Sequence, residues 1–339
     1  MNYKQLRDSQ AAMPTLQEVV EEKADWVRVH TPEDKSTILG LFQFVVNEGS
    51  GGALVPLDRR LSIPAVDLRP HAMDQLLNRL DYNKRLFGRL PGKLNLLALN
   101  WLIQNEKERQ ALLRIQDGNQ CRALLSGQYE AFDTLQLLQE LVPLCGGAKV
   151  RVAYDDDLTF HLSLTFPDTA TELVHPDGEH ARRNDIIEQG IHISNSEVGL
   201  RSVTVAGYVY RLICSNGLIS YGNGEGGMFR FRHTGDSDNL RDRVRSAVES
   251  TFLDAQKITA QFQNALNIAI SDPATRLQQV VEDNNLSKED YKAMLDRFME
   301  EPEQNLFGVV NAITAAARDE EGEKAYELQR IAAKTLSRS

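Results

Sequence analysis

His192, Glu197 and Cys214 fall within one short stretch of the chain, and a cysteine near a histidine is the minimum set for nucleophilic catalysis. The spacing supplies no third group to orient the base. Cys214 lies in an apolar run, where a buried structural thiol is the ordinary outcome. His161 and His192 sit in strand-like segments and read as packed residues. No HExxH, CxxC or Walker pattern occurs. Asp155-Asp156-Asp157 lack the spaced oxygens and closing Glu of a calcium loop, so they read as a solvated turn. Gly222-Asn223-Gly224-Glu225-Gly226-Gly227 has the composition to approach a phosphate, but it contains an acid and no Lys-Ser/Thr follows, so it reads as a hairpin connection. No metal, cofactor or catalytic residue is predicted.

What the chain does offer is arginine interleaved with aromatic rings. Arg201, Arg211, Arg230 and Arg232 lie in strand-like runs, and Arg241, Arg243 and Arg245 open the helix that follows. Tyr208, Tyr210, Phe229 and Phe231 fall between them. Guanidinium groups hold a phosphate backbone, and rings stack bases at ~1–3 kcal/mol each. The expected nucleic-acid contacts are Arg201, Arg211, Arg230, Arg232, Arg241 and Arg245, with stacking by Tyr208, Tyr210 and Phe231. A second basic stretch spans residues 57–93, where eight cations face four aspartates. It reads as a solvated helix face or as a phosphate-tracking surface. The net charge of −10 argues against indiscriminate polyanion binding and leaves room for a local basic groove.

The elements that must position these residues are legible from periodicity. Residues 189–232 alternate apolar and polar side chains in short runs bounded by Gly and Asn-Ser, the pattern of a half-buried antiparallel sheet. Asn195-Ser196-Glu197 and Asn216-Gly217 read as turns within it. Asp117-Gly118 between two alternating arms predicts a hairpin, with Arg114 and Arg122 on the face away from the core. Residues 149–166 predict another. Residues 38–46 predict one buried strand, residues 94–103 a buried helix, and Pro70 a helix start. A helix over residues 132–142 ends at Pro143. Residues 167–188, with Arg182 and Arg183, read as a long surface loop. Asp236 or Ser237 caps a long helix whose apolar stripe runs from Leu240 to Ala269, closed by Asp272-Pro273. The remainder is helical and acidic. The expected organisation is an N-terminal segment over residues 1–56 with one strand, an α+β core domain over 57–272 and a C-terminal helical lobe over 273–339.

Three cysteines without metal-ligand spacing, no leader-like N-terminus and no long apolar run point to a reduced, cytoplasmic protein. Arg122-Ala123-Leu124-Leu125-Ser126 with Tyr129 and Asp133, then Asn195-Ser196-Glu197-Val198-Gly199, then Tyr208-Val209-Tyr210-Arg211 with Cys214-Ser215-Asn216-Gly217, resemble the phage- and plasmid-associated proteins grouped as domain of unknown function 932. Phe307-Gly308-Val309-Val310-Asn311-Ala312-Ile313-Thr314 resembles that family's C-terminal element. The resemblance implies an origin on a phage or conjugative plasmid but no list of functional residues. The predicted fold class is α+β, an antiparallel sheet with hairpins packed on helices. Its element order is similar to that of Rad52-like strand-annealing proteins, an analogy of topology alone. The expected function is binding and annealing of single-stranded DNA by a homo-oligomer, in a ring by the same analogy, without nucleotide hydrolysis. The alternatives are a protein that blocks a host defence nuclease with its acidic lobe, and a virion or scaffolding component.

Overall fold

The computed structural model describes residues 13–21, 33–46, 51–58, 60–106, 110–176, 185–220, 228–234 and 237–337. Arg59, Arg182, Arg183, Asp236 and the glycine-rich 222–227 segment lie outside the described residues, as does the Ser237 side chain. The protein is α+β, with two antiparallel-rich sheets and a helical C-terminal region. Among the described residues no helix is long and apolar enough to cross a membrane.

The first sheet is built from β1 (Glu33–Ile38), β2 (Phe42–Val45), β3 (Ala53–Pro56), β4 (Val66–Leu68), β5 (Gln110–Gln116) and β6 (Gln120–Ser126), in the order β1-β5-β6-β4-β3-β2. The β5–β6 hairpin turns where the sequence predicts. Asp117 and Gly118 take φ of 52° and 83°, the left-handed pair that a two-residue turn between right-twisted strands requires. The expected boundary at residue 56 cuts through this sheet, because β3 pairs with β4 across it. The predicted strand over 38–46 is broken by a 3-10 turn at Leu39–Leu41. Residues 33–56 thus supply three strands rather than one.

Helix α1 (residues 16–21) is the first element, and three more helices separate β4 from β5: α2 (Pro70–Arg79), α3 (Lys84–Phe87) and α4 (Gly92–Asn105). Pro70 occupies the first turn of α2, where its missing N–H costs nothing. Met73, Leu76 and Leu77 then pack with Phe42, Phe44 and Leu68 into the first core. Helix α4 departs from expectation. Leu99 and Ile103 enter that core, but Leu97 and Trp101 remain 69% and 66% exposed. Its polar side chains cover a sheet edge instead. Asn100 accepts from the Phe44 N–H at 2.8 Å and donates to the Phe44 carbonyl at 2.9 Å, and Gln104 donates to the Phe42 carbonyl. Those are backbone groups of edge strand β2 that would otherwise recruit another strand.

After α5 (Thr134–Cys145), with Pro143 inside it rather than ending it, comes the second sheet. It comprises β7 (Lys149–Asp155), β8 (Phe160–Thr165), β9 (Thr171–Glu172), β10 (Ile186–Asn195), β11 (Val203–Arg211), β12 (Asn216–Ile219) and β13 (Met228–Phe231). The order is β12-β11-β10-β8-β7, with β13 also on β11 and β9 on β10. Asp156 accepts from the Leu158 and Thr159 amides at the β7–β8 turn, so the aspartate cluster shapes the loop. Helices α6 (Ser237–Ala265), α7 (Pro273–Asp283), α8 (Lys288–Glu300), α9 (Leu306–Arg318) and α10 (Gly322–Ser337) complete the chain. Asp272 caps α7 and does not close α6.

The register explains where the second core sits. Ile191 and Ile193 of β10 lie opposite Leu164 and Leu162 of β8. With Val203 and Val205 they pack on α5 and the first half of α6. Farther along the same face Ile187, Val209 and Leu218 pack on α9 and α10. The opposite face carries His161, Ser163, Thr165, Glu188, His192 and Thr204, which are polar and nevertheless buried. The alternation seen in the sequence therefore separates an apolar interior from a polar interior, not interior from solvent.

The two sheets are joined at the first signature, Asn195–Gly199. Glu197 accepts from the Thr134 amide at 2.8 Å and from Arg122 at 3.1 Å, and its carbonyl accepts from Arg114 at 2.9 Å. Arg114 also reaches Asp34 and Asp133. Asn195 donates to the Phe132 carbonyl, Ser196 to that of Leu158, and Gln75 to that of Val198. Gly199 has φ of 79° and lies against Leu125 and Tyr129, so a side chain there would be both strained and obstructed. Burial would raise the Glu197 pKa, but the Thr134 amide and the Arg122 and Arg114 guanidinium groups outweigh it and hold the carboxyl below its usual range. Arg114 and Arg122 thus face a second buried interface, not the solvent that the hairpin pattern suggested.

Candidate nucleic-acid interface

The structure divides the six arginines expected to hold a phosphate backbone. Arg211 is internal, with its side chain 3% exposed. Its Nε and Nη2 donate to the two Asp185 oxygens at 2.6 and 2.7 Å, and Nη1 reaches Glu301 at 2.8 Å and Asn311 at 2.9 Å. Burial alone would weaken its hold on the proton, and the hydrogen bonds from Asp185 and Glu301 more than reverse that. Arg201 is paired with Glu323 and lies over the Tyr326 ring at 4.8 Å. Arg241 and Arg245 share Glu140 of α5. Arg230 and Arg232 are exposed. The pleat places Arg230, opposite Thr204, on the other side of the sheet from Phe229 and Phe231, which lie opposite Val205 and Val203.

The expected stacking rings are enclosed. Tyr208, Tyr210 and Phe231 are all nearly inaccessible, the two tyrosines in a cluster with Ile219, Met228 and Tyr326. No base can lie on the faces of Tyr208 or Tyr210 without unpacking that cluster. At β11 the sheet is covered on both sides, so Tyr208 and Tyr210 are buried although they alternate with apolar residues. The single continuous trough implied by the sequence does not form.

A smaller assembly remains at the open end of the sheet. Between β13 and the first turns of α6 lies a groove of about 600 Å³, bordered by Phe229, Phe231, Asn239, Asp242 and Arg243. The Arg243 guanidinium sits 4.7 Å from the centre of the Phe231 ring, a cation–π contact that holds the charge at the groove edge. Arg232 follows Phe231 directly in the chain and is exposed. Among the described residues no carboxylate pairs with Arg230, Arg232 or Arg243. Arg243 was absent from the expected contacts, yet a 100° helical step places it on a different face from Arg241 and Arg245, which Glu140 occupies.

The residues considered for catalysis are also accounted for. Burial, reinforced by Glu301 and opposed by Arg211, pushes the Cys214 thiol up to about 11, so it is not a thiolate near neutrality. The second signature is structural. Ser215, with φ of 54°, makes the turn, while Asn216 and Gly217 belong to β12. Asn216 donates to Asn311, and Gly217 leaves room for the Tyr208 ring. On the polar inner face a chain runs from Ser163 through His192 (2.9 Å) and His161 (3.4 Å) to Glu323 (3.3 Å). Ser163 is completely enclosed, so this chain offers no nucleophile to a substrate. Periodicity carries no sign of it, because the approach of His161 to His192 follows from strand register.

A family model described as Domain of unknown function (DUF932) matches residues 164–335, from the end of β8 to the last turn of α10. No curated protein and no solved structure matches the chain. The matched span takes in the buried Arg211 network, the β13–α6 groove and the second signature, all of which stand on the same sheet. The chain belongs to the DUF932 family.

Proposed function

We propose that the protein binds single-stranded nucleic acid along the β13–α6 groove and promotes annealing without hydrolysing a nucleotide. The observation that carries this reading is the Arg243–Phe231 contact at the groove edge, with Arg232 exposed beside it and neither cation matched by a described carboxylate. Phosphates are held by Arg232 and Arg243; Arg230, on the opposite side of β13, is not a contact of this groove. Phe229, half-buried at the groove wall, presents an apolar surface to a base. With only two cations engaged, binding is weak and dependent on salt.

The test is fluorescence anisotropy of a labelled oligothymidylate titrated with the full chain at several salt concentrations. Two phosphate contacts predict a slope of log K against log salt of about −1.4, from about −0.7 per contact on a single strand. Arg232→Glu/Arg243→Glu should abolish binding and leave the melting temperature unchanged. An absence of binding at low salt, or equal affinity of wild type and variant, would reject the reading.

A further inference from the structure

The outward side of α4 is where sequence and structure disagree most. Leu94, Leu97 and Trp101 recur at i, i+3 and i+7 and so form one stripe. All three are exposed. The stripe continues onto the elements that α4 packs against. Leu41 and Val46 are exposed beside β2, and the exposed Leu57 donates its amide to the Leu41 carbonyl at 2.9 Å. Together they present on the order of 500 Å² of apolar surface, near the top of the about 300–600 Å² that monomers ordinarily leave bare. Lys93 precedes Leu94 on α4, and Arg85 and Arg89 lie in the segment leading into it; all three are exposed and paired with no described carboxylate. The surface lies outside residues 164–335 and outside the nucleic-acid groove.

We infer that this face docks a second copy of the chain, head to tail. One tryptophan among aliphatic side chains, rimmed by arginine, is the composition of a protein interface; a single-strand groove needs several rings. Charge selects the partner surface. Two copies of this face brought together would oppose Arg85, Arg89 and Lys93 to themselves, so a symmetric contact is disfavoured. The chain as a whole is at −10 although residues 57–93 hold twice as many cations as aspartates, so the rest of each copy is acidic. The complementary site is on α8. Met299 is the single exposed large apolar side chain described in the C-terminal lobe, and it lies beside exposed Asp296 and beside Glu300, which Arg297 of the same helix already engages at 2.8 Å. Such a contact joins different surfaces of the two copies, so it propagates into a ring or a filament.

The experiment is sedimentation velocity on the full chain over a range of concentration and salt. Wild type should assemble beyond the monomer and dissociate as salt rises. Trp101→Glu should weaken assembly about thirtyfold, the loss typical of a central interface side chain. Met299→Lys should weaken it comparably, and each variant should keep its circular dichroism and melting temperature. The decisive mixture adds Trp101→Glu to wild type. In a head-to-tail array the variant still offers α8, so it caps growing assemblies and lowers their mean mass. In a back-to-back dimer it stays out, and the wild-type mass is unchanged. A monomeric wild type, an unaffected Trp101→Glu, or a mixture that leaves the mass unchanged would overturn the inference. So would a monomer whose Trp101 fluorescence shifts on adding oligothymidylate or anionic phosphatidylserine vesicles, which would assign the face to nucleic acid or lipid.

Discussion

Arg211→Met separates the two roles this side chain could have. In the folded protein Arg211 is the guanidinium that pairs with Asp185, whose side chain is 1% exposed, and it also neutralises Glu301. Asn311 donates to Glu301, Asn216 donates to Asn311, and His175 lies 3.0 Å from Asp185. The group therefore ties β10, β11, β12, the end of α8 and the middle of α9 together. Removing one partner of a buried pair costs about 3–5 kcal/mol, because the other charge stays behind without compensation. Against a total stability of about 5–15 kcal/mol that is a large fraction. For a folding unit of this size each kcal/mol moves the melting temperature by about 2–4 °C, so the expected drop is roughly 10 °C. The assay is thermal unfolding followed by circular dichroism, with Asp185→Leu and the double variant alongside. The double variant should melt above Arg211→Met, since it removes the enclosed lone carboxylate and leaves only the partly exposed Glu301 without its cation. At a temperature where Arg211→Met is fully folded, its affinity for oligothymidylate should equal wild type. A variant that melts within about 2 °C of wild type, or one that loses affinity while remaining folded, would refute the reasoning and restore Arg211 as a phosphate contact.

Burial holds the His192 imidazole well below its ordinary value, with repulsion from His161 and Arg201 adding to the effect, and it holds His233 down at about 4. Both pKa values are lower in the folded state, so the unfolded chain takes up protons first, and stability present above about pH 6.5 is lost as the pH falls. Urea unfolding should show that decline between about pH 6.5 and about pH 4, with His233 accounting for roughly 3 kcal/mol, and His233→Phe should flatten it. Gly190→Ala aims a methyl group at the Leu164 carbonyl inside the β8–β10 ladder, where neither strand can move away. It should cost about 3 kcal/mol or more, seen as a shift of the urea midpoint. Cys214 should alkylate with iodoacetamide at least about a hundredfold more slowly than a free thiol near neutral pH, as read by mass spectrometry. Rapid labelling would mean that its surroundings are more open than described.

Local signals translated well. Asp117-Gly118, Pro70 and the stripe of Leu240, Val244 and Val248 each encode their geometry within a few residues, and each formed the expected element. The arginines were another matter. Arg211 meets Asp185 and Glu301, which are distant in the chain, and no periodicity connects positions that only strand order brings together. The same holds for Arg114 and Arg122. A period of two reports two faces, and it cannot tell a face against solvent from a face against another sheet. Helix α4 erred in the opposite direction. Apolar residues all around a helix argue for full enclosure, and within one chain only half of that enclosure is supplied.

The family match begins at the penultimate residues of β8, a central strand. Ahead of that point lie β7, which closes the sheet, and Leu137, Leu138 and Leu141 of α5, which fill the apolar layer beneath it. Thr134 supplies the amide that anchors Glu197. A polypeptide trimmed to the matched span would begin with a bare strand edge above an empty half of its core. It should aggregate on expression, whereas one starting near residue 128 would retain α5 and the whole sheet. Sequence relatedness and autonomous folding thus divide this chain at different places.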